Sequence, residues 1–213
     1  MNLFLYSNLL TPELNGGLAT LFDCKGKSMA IIPSQTGPKT EYYFEKLKAV
    51  FAPIGITRFI LVSIDTEKPL TELRTLLDSV DCIFLSGGDT HYLQKHIMQP
   101  DIAALIRAQA DAGKLIIGQS AGAIVLTPTT RTSDLLGDEP RNTSGNYDGL
   151  HLSDFEFVPH FEPEKSLAAV TAYAKTTTRT VIAASENCAV GVKGTEMKLF
   201  GDEPNIVVLN GTN

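Results

Sequence analysis

Five short apolar runs punctuate the first half of the chain: Leu3 to Tyr6, Met29 to Ile32, Phe59 to Val62, Ile83 to Leu85 and Leu115 to Ile117. Each is bounded by turn formers and none alternates with polar residues, the pattern of strands covered on both faces by helices. Helical spacing lies between them. Phe44, Leu47, Lys48 and Phe51 recur at intervals of three and four over Glu41 to Phe51, before Pro53 and Gly55. Leu70, Leu73, Leu76 and Leu77 form one stripe after Pro69, and Ile102 to Ala112 runs from Pro100-Asp101 to Gly113. The start and stop residues are those that helix ends require. Strand and helix alternating in this way predict an α/β three-layer sandwich around a mainly parallel sheet.

The second half changes character. Thr127 to Asp154 is polar and irregular, long enough to imply a function or mobility. A strand at Phe155 to Val158 and a helix over Pro163 to Lys175 follow. Four β-like runs come last: Val181 to Ala184, Ala189 to Val192, Met197 to Phe200 and Ile206 to Leu209. Turn residues at Glu186-Asn187 and Gly194-Thr195 predict hairpins added near the C-terminus at one end of the sheet. With no repeat and no linker, residues 1–213 read as a single domain.

Composition narrows the class. Of 213 residues, 43% are hydrophobic and 20% charged, a globular balance rather than a disordered one. No apolar run approaches the roughly 20 residues that span a bilayer. The opening MNLFLYSNLL lacks the basic start and small-residue exit of a signal peptide and reads as a strand. A net charge of −6 without a basic stripe argues against nucleic acid and membrane surfaces as partners. Cys24, Cys82 and Cys188 are too dispersed for a disulfide frame or a zinc site, which suits reduced thiols and a cytoplasmic location.

The most informative stretch runs from Leu115 to Leu126, with Ser120 at the apex of Gly118-Gln119-Ser120-Ala121-Gly122. A serine on a sharp strand-to-helix turn needs small residues two positions away on each side, so that strand and helix can approach. Such a turn lifts the hydroxyl off the carboxyl end of the sheet, where open α/β folds bind ligands. The alternative is a plain N-cap between packing glycines.

A serine hydroxyl needs a base, and the chain offers His91, His96, His151 and His160. His160, in Val158-Pro159-His160-Phe161, follows an apolar strand and is the leading candidate, with His151 and His91 behind it. Either Glu186 or Asp134 could orient the imidazole. Glu186 lies between two apolar runs, which predicts partial burial and hence a partner; Asp134 lies downstream of the nucleophile helix. The Ala121 N–H and the loop Ser86-Gly87-Gly88-Asp89-Thr90 are candidate donors to an oxyanion.

Four pieces therefore stand in one order: Ser86-Gly-Gly-Asp-Thr90, Gly118-Gln-Ser-Ala-Gly-Ala123, Pro159-His-Phe161 and Ser185-Glu-Asn187. This set resembles the peptidase E-like serine peptidases, the group of aspartyl dipeptidase and cyanophycinase. The resemblance implies a class I glutamine-amidotransferase-like, flavodoxin-like sandwich with serine in place of the amidotransferase cysteine. It assigns Ser120 as nucleophile, His160 as base, Glu186 as acid with Asp134 as the alternative, and Gly88 and Ala121 as oxyanion donors. It implies a small peptide substrate and no metal or cofactor, and a homodimer is one state it allows. Where the aspartyl dipeptidases carry Gly-Gly-Asn this chain has Gly87-Gly88-Asp89, and the added carboxylate disfavours an acidic residue at the cleavage site. Arg131 and Arg179 are the cations that could offset it, with Asp89 and Arg131 as candidate substrate-binding residues. An esterase or amidase with the same triad, or a non-catalytic binding module on the same fold, are the alternatives to a peptidase.

Overall fold

Strand and helix alternate as the hydrophobic pattern requires in the computed structural model, which describes residues 1–8, 11–136, 145–201 and 203–212. Strands β1 (Asn2–Tyr6), β2 (Ser28–Ile32), β3 (Arg58–Leu61), β4 (Cys82–Leu85) and β5 (Leu115–Gln119) pair in parallel in the order β3-β2-β4-β5-β1. Because successive side chains point to opposite faces of a strand, each strand feeds two cores. Leu3, Leu5, Ala30, Ile32, Ile83, Leu85 and Ile116 enter one core, while Phe4, Tyr6, Met29, Ile31, Phe84 and Ile117 enter the other.

Helices α1 (Pro12–Leu21) and α2 (Thr40–Phe51) cover the second of these faces through Leu14, Leu18, Leu47 and Phe51. Helices α3 (Leu70–Asp78), α4 (Thr90–Ile97), α5 (Pro100–Asp111) and α6 (Ala121–Leu126) cover the first. The central sheet and its two helical layers give the class I glutamine-amidotransferase-like sandwich. All three cysteines are buried, and burial pushes the Cys82 thiol up to about 12.

The C-terminal strands depart from the expected run of hairpins. Only β8 (Ala189–Lys193) and β9 (Glu196–Phe200) form one, and they extend the main sheet antiparallel from β1. Strands β7 (Val181–Ala184) and β10 (Ile206–Leu209) leave it and pair with β6 (Glu156–Val158) in a separate sheet, in the order β10-β7-β6. Alternation explains why this sheet stands where it does. Phe157, Ile182 and Ala184 face the main core, whereas Val158, Val181 and Ala183 face helix α7 (Pro163–Ala174). The Glu186-Asn187 turn thus carries the chain from one sheet to the other instead of closing a hairpin.

The polar connector is also more structured than its composition implies. Thr127, Thr130, Thr132 and Ser133 are fully buried, and Thr129 bridges to Asp148. The Gln94 side-chain amide donates to the carbonyls of Asn146 and Asp148, and Arg107 Nε donates to that of Leu150. Residues 137–144 of this stretch lie outside the described residues.

Candidate active site

Strand β5 ends in Gln119, and the chain turns so sharply into α6 that Ser120 takes φ 48° and ψ −114°. A non-glycine residue rarely adopts that conformation, and its cost must be met by the surrounding packing. The turn is pinned on both sides: Ser120 N–H donates to the Tyr6 carbonyl at 2.9 Å, and Ile124 N–H to the Ser120 carbonyl at 3.0 Å. The flanking glycines are a matter of space. A Cβ on Gly118 would stand 2.6 Å from Ala123 Cα, and one on Gly122 would stand 2.1 Å from the Leu85 carbonyl oxygen. Helix α6 can therefore lie against β4 and β5 only without those side chains.

His160 follows β6 and also has positive φ, at 55°. Its main chain is held by Ser7, a fully buried residue just past β1 that sequence reasoning did not single out. The Ser7 hydroxyl accepts the His160 N–H at 3.1 Å and donates to the Ala184 carbonyl at 2.7 Å, tying the His160 loop to β7. Phe161 N–H donates to the same Ala184 carbonyl at 3.1 Å. The only prior signal for Ser7 was its place at the carboxyl end of a central strand.

The imidazole thus reaches both partners. Its Nε2 is 2.8 Å from Ser120 Oγ, and its Nδ1 is 2.7 Å from Glu186 Oε1. A carboxylate can only accept, so Nδ1 carries the proton toward Glu186 and leaves Nε2 as acceptor for the Ser120 hydroxyl. Glu186 is half exposed, less buried than its apolar flanks suggest, because its turn runs across the surface between the two sheets.

Asp134 does not join this chain of contacts. It lies 4.0 Å from His91 Nε2 and bonds the Tyr147 phenol, whose pKa it raises. Arg131 stacks its guanidinium 4.4 Å over the same Tyr147 ring, and Arg179 faces the buried carboxylate of Glu156 at 3.7 Å. Both arginines are thus already engaged. His96 packs against Tyr92, and His151 is exposed. Among the described residues no three His, Cys, Asp or Glu side chains converge as a metal site requires.

The glycine loop after β4 reaches the nucleophile. A Cβ on Gly87 would lie 3.2 Å from Ser120 Cβ, and Gly88, at φ 144°, borders the same cavity as Ser120 and His160. Ala121 opens α6, so its N–H is among the donors that a helix leaves without an internal partner. Asp89 acts first as a helix cap, accepting the Tyr92 N–H at 3.0 Å at the start of α4.

The model of peptidase family S51 matches residues 10–200. An uncharacterized peptidase of Listeria monocytogenes is 33% identical over 156 residues, covering 70% of this chain and 75% of that protein. Peptidase E of Shigella flexneri is 31% identical over 119 residues, and the chain spans about half of that relative, 48%, while the match takes in 56% of this chain. A crystal structure of a peptidase E-type protein from Listeria monocytogenes superposes with a TM-score of 0.76 at 27% identity, covering 93% of this chain and 97% of the other. One of a peptidase from an acI-B1 Actinobacterium shares the fold, with a TM-score of 0.69 at 22% identity over 99% of this chain and 91% of the other. The chain belongs to peptidase family S51, and its activity class is that of a peptidase.

Proposed function

We propose that the protein hydrolyses short peptides by serine catalysis, through an acyl-enzyme on Ser120. The observation that carries this reading is the unbroken contact from Ser120 Oγ through His160 to Glu186, at 2.8 and 2.7 Å. Ser120 attacks the scissile carbonyl carbon while His160 Nε2 takes the hydroxyl proton. The imidazolium so formed faces the Glu186 carboxylate, which stabilises it and fixes its orientation. The carbonyl oxygen gains negative charge beside the N–H groups of Ala121 and Gly88. His160 then returns its proton to the departing amine, the C–N bond breaks, and water repeats the cycle on the ester.

Two features favour this reading over a plain N-cap. A cap needs neither an imidazole at hydrogen-bond distance nor the backbone cost at Ser120. The Ser120 side chain also caps no N–H of α6. The test is labelling by a fluorophosphonate together with turnover of a dipeptide panel. Wild-type protein acquires the adduct on Ser120, and Ser120→Ala lowers kcat/KM by about 10⁴-fold or more. Peptide turnover by a folded Ser120→Ala variant at the wild-type rate overturns the proposal.

A further inference from the structure

Two cavities adjoin the Gly87-Gly88 loop, and they differ in chemistry. The smaller, about 560 Å³, is bordered by Ser120, His160, Glu162 and Lys165. The larger, about 750 Å³, lies on the other side of the loop against α2 and does not include His160. Gly88 borders both, and the larger runs past Gly87 and Gln119, next to the nucleophile. Its wall is largely apolar, formed by Ile31, Pro33, Tyr43, Phe44, Leu47 and Leu61.

From this arrangement we infer that the larger cavity receives the side chain on the acyl side of the scissile bond, and that this side chain is a large apolar or aromatic one. The inference rests on the serine mechanism proposed above. In that mechanism His160 must hand its proton to the leaving nitrogen, so the leaving group lies on the imidazole side, over the smaller cavity. The acyl portion, bonded to Ser120 Oγ, extends the other way, past Gly87 and Gly88. Binding pockets are characteristically concave and mostly apolar, with a few polar groups that fix orientation, and the larger cavity fits that description.

Charge favours the same residue class. Among the described residues no arginine borders the larger cavity, and Asp89 does. Its lysines, Lys39 and Lys46, are both exposed, and Lys46 Nζ sits 4.8 Å over the Tyr42 ring. The loop that forms the far wall is held before any ligand arrives. Thr36 donates its N–H and hydroxyl to Asp65 at 2.7 and 2.5 Å, and Ser34 N–H donates to Ser86 Oγ at 2.8 Å. Tyr43 borders the cavity with more than half of its surface exposed, so an aromatic ligand has an aromatic side chain available to cover it.

The test uses α-aminoalkyl diphenyl phosphonates carrying the side chain of phenylalanine, alanine or aspartate. Each reacts by formation of a bond from Ser120 Oγ to phosphorus with loss of phenol, so the rate reports the acyl side alone. The phenylalanine reagent is expected to inactivate the protein at least about 10-fold faster than the alanine or aspartate reagent, the scale on which apolar pockets discriminate. Tyr43→Ala is expected to lower the phenylalanine rate several-fold, and by more than it lowers the alanine rate, with Tyr43→Phe restoring it. A simple fluorophosphonate that labels Ser120 while aspartate or alanine reacts as fast as phenylalanine overturns the inference and leaves the serine mechanism standing. Folded protein that no phosphorus reagent labels overturns both.

Discussion

At the amino ends of β2 and β4, the Asp81 carboxylate accepts the Ser28 N–H at 2.9 Å and its hydroxyl at 2.7 Å, and Lys114 Nζ donates to the carbonyls of Leu77 and Asp78. At the carboxyl ends of the same sheet, Ser120 and His160 both have positive φ, and two cavities open beside the glycine loop. One end pairs its polar groups on relaxed backbone. The other holds two residues in costly conformations and keeps a hydroxyl, an imidazole and a carboxylate within reach of solvent. Parallel strands place all their carboxyl ends on one side, so the fold itself sets a site apart from a support. The residues of the proposed chemistry thus gather at the carboxyl end, away from the polar pairs of the amino end, a division that substitutions can test from either side.

The largest separation of the two is expected at Glu186. Replacing Glu186 by glutamine keeps the shape of the turn but removes the charge that faces an imidazolium, and its amide can present the wrong group to Nδ1. We expect kcat/KM for peptides to fall by up to about 10⁴-fold, the loss found when the third member of such a triad is neutralised. The melting temperature should move little, because the side chain is half exposed and the ion pair is on the surface. Asp134→Asn serves as the control, with activity expected within a factor of about 2–3 of wild type because His91 and Tyr147, not His160, are its partners. A collapse of activity in the Asp134 variant with little change at Glu186 would exchange their roles.

How far these features can be read from the chain follows the same division. The parallel strands are legible because apolar runs buried on both faces have few alternatives, and the elbow is legible because its glycines answer a local steric demand. Helix α1 is not. Gly16 and Gly17 sit in its middle and mask it, although Thr11 caps its start by accepting the Leu14 N–H at 3.3 Å and Pro12 follows. The second sheet escapes because β7 and β10 look no different from hairpin strands, and pairing is decided by long-range register rather than composition. Ser7 escapes for a related reason. Its partners, His160 and Ala184, lie 153 and 177 residues away, and no local pattern encodes such a contact. Glu186 has the partner its apolar flanks imply but less burial, because apolar neighbours imply deep burial only if the turn stays within one sheet.

Gly122→Ala probes the boundary between the two ends. The added Cβ would lie 2.1 Å from the Leu85 carbonyl oxygen, a backbone atom that cannot rotate away. Either α6 lifts from β4 or the strand bends, at a cost of about 1–3 kcal/mol in global stability by denaturant titration. Because α6 carries the Ala121 N–H and anchors Ser120, the displacement should also lower kcat. An alanine at Gly145, where a new Cβ would meet nothing within 4 Å but φ is 69°, isolates backbone strain from crowding. Gly122 has no positive φ, so a loss no larger than that at Gly145 would mean that a small shift of α6 relieves the close approach to Leu85.

The smallest effect is expected at the amino end, where it can be read through pH. The Asp81 carboxyl is held below the usual carboxylate value, first by the Ser28 hydroxyl and then by the Ser28 N–H, with nearby Lys27 adding to the effect. A carboxyl group whose pKa is lower in the folded than in the unfolded chain contributes its stability in full above the unfolded value, near 4, and loses it as pH falls through the folded value. Asp81→Asn removes the charge at every pH. At pH 7 the variant should therefore be less stable by about 0.5–1 kcal/mol, a modest figure because the side chain is nearly half exposed and water already screens it. The gap between wild type and variant should narrow as pH is lowered from about 5 and close once Asp81 is protonated in both folded and unfolded chains. Peptidase activity at pH 7 should be unchanged, since Ser28 and Asp81 lie at the opposite end of the strands from Ser120. A stability gap that stays constant down to pH 3 would place the effect in the geometry of the amide instead of the charge. A loss of activity without a loss of stability would break the division between the two ends of the sheet.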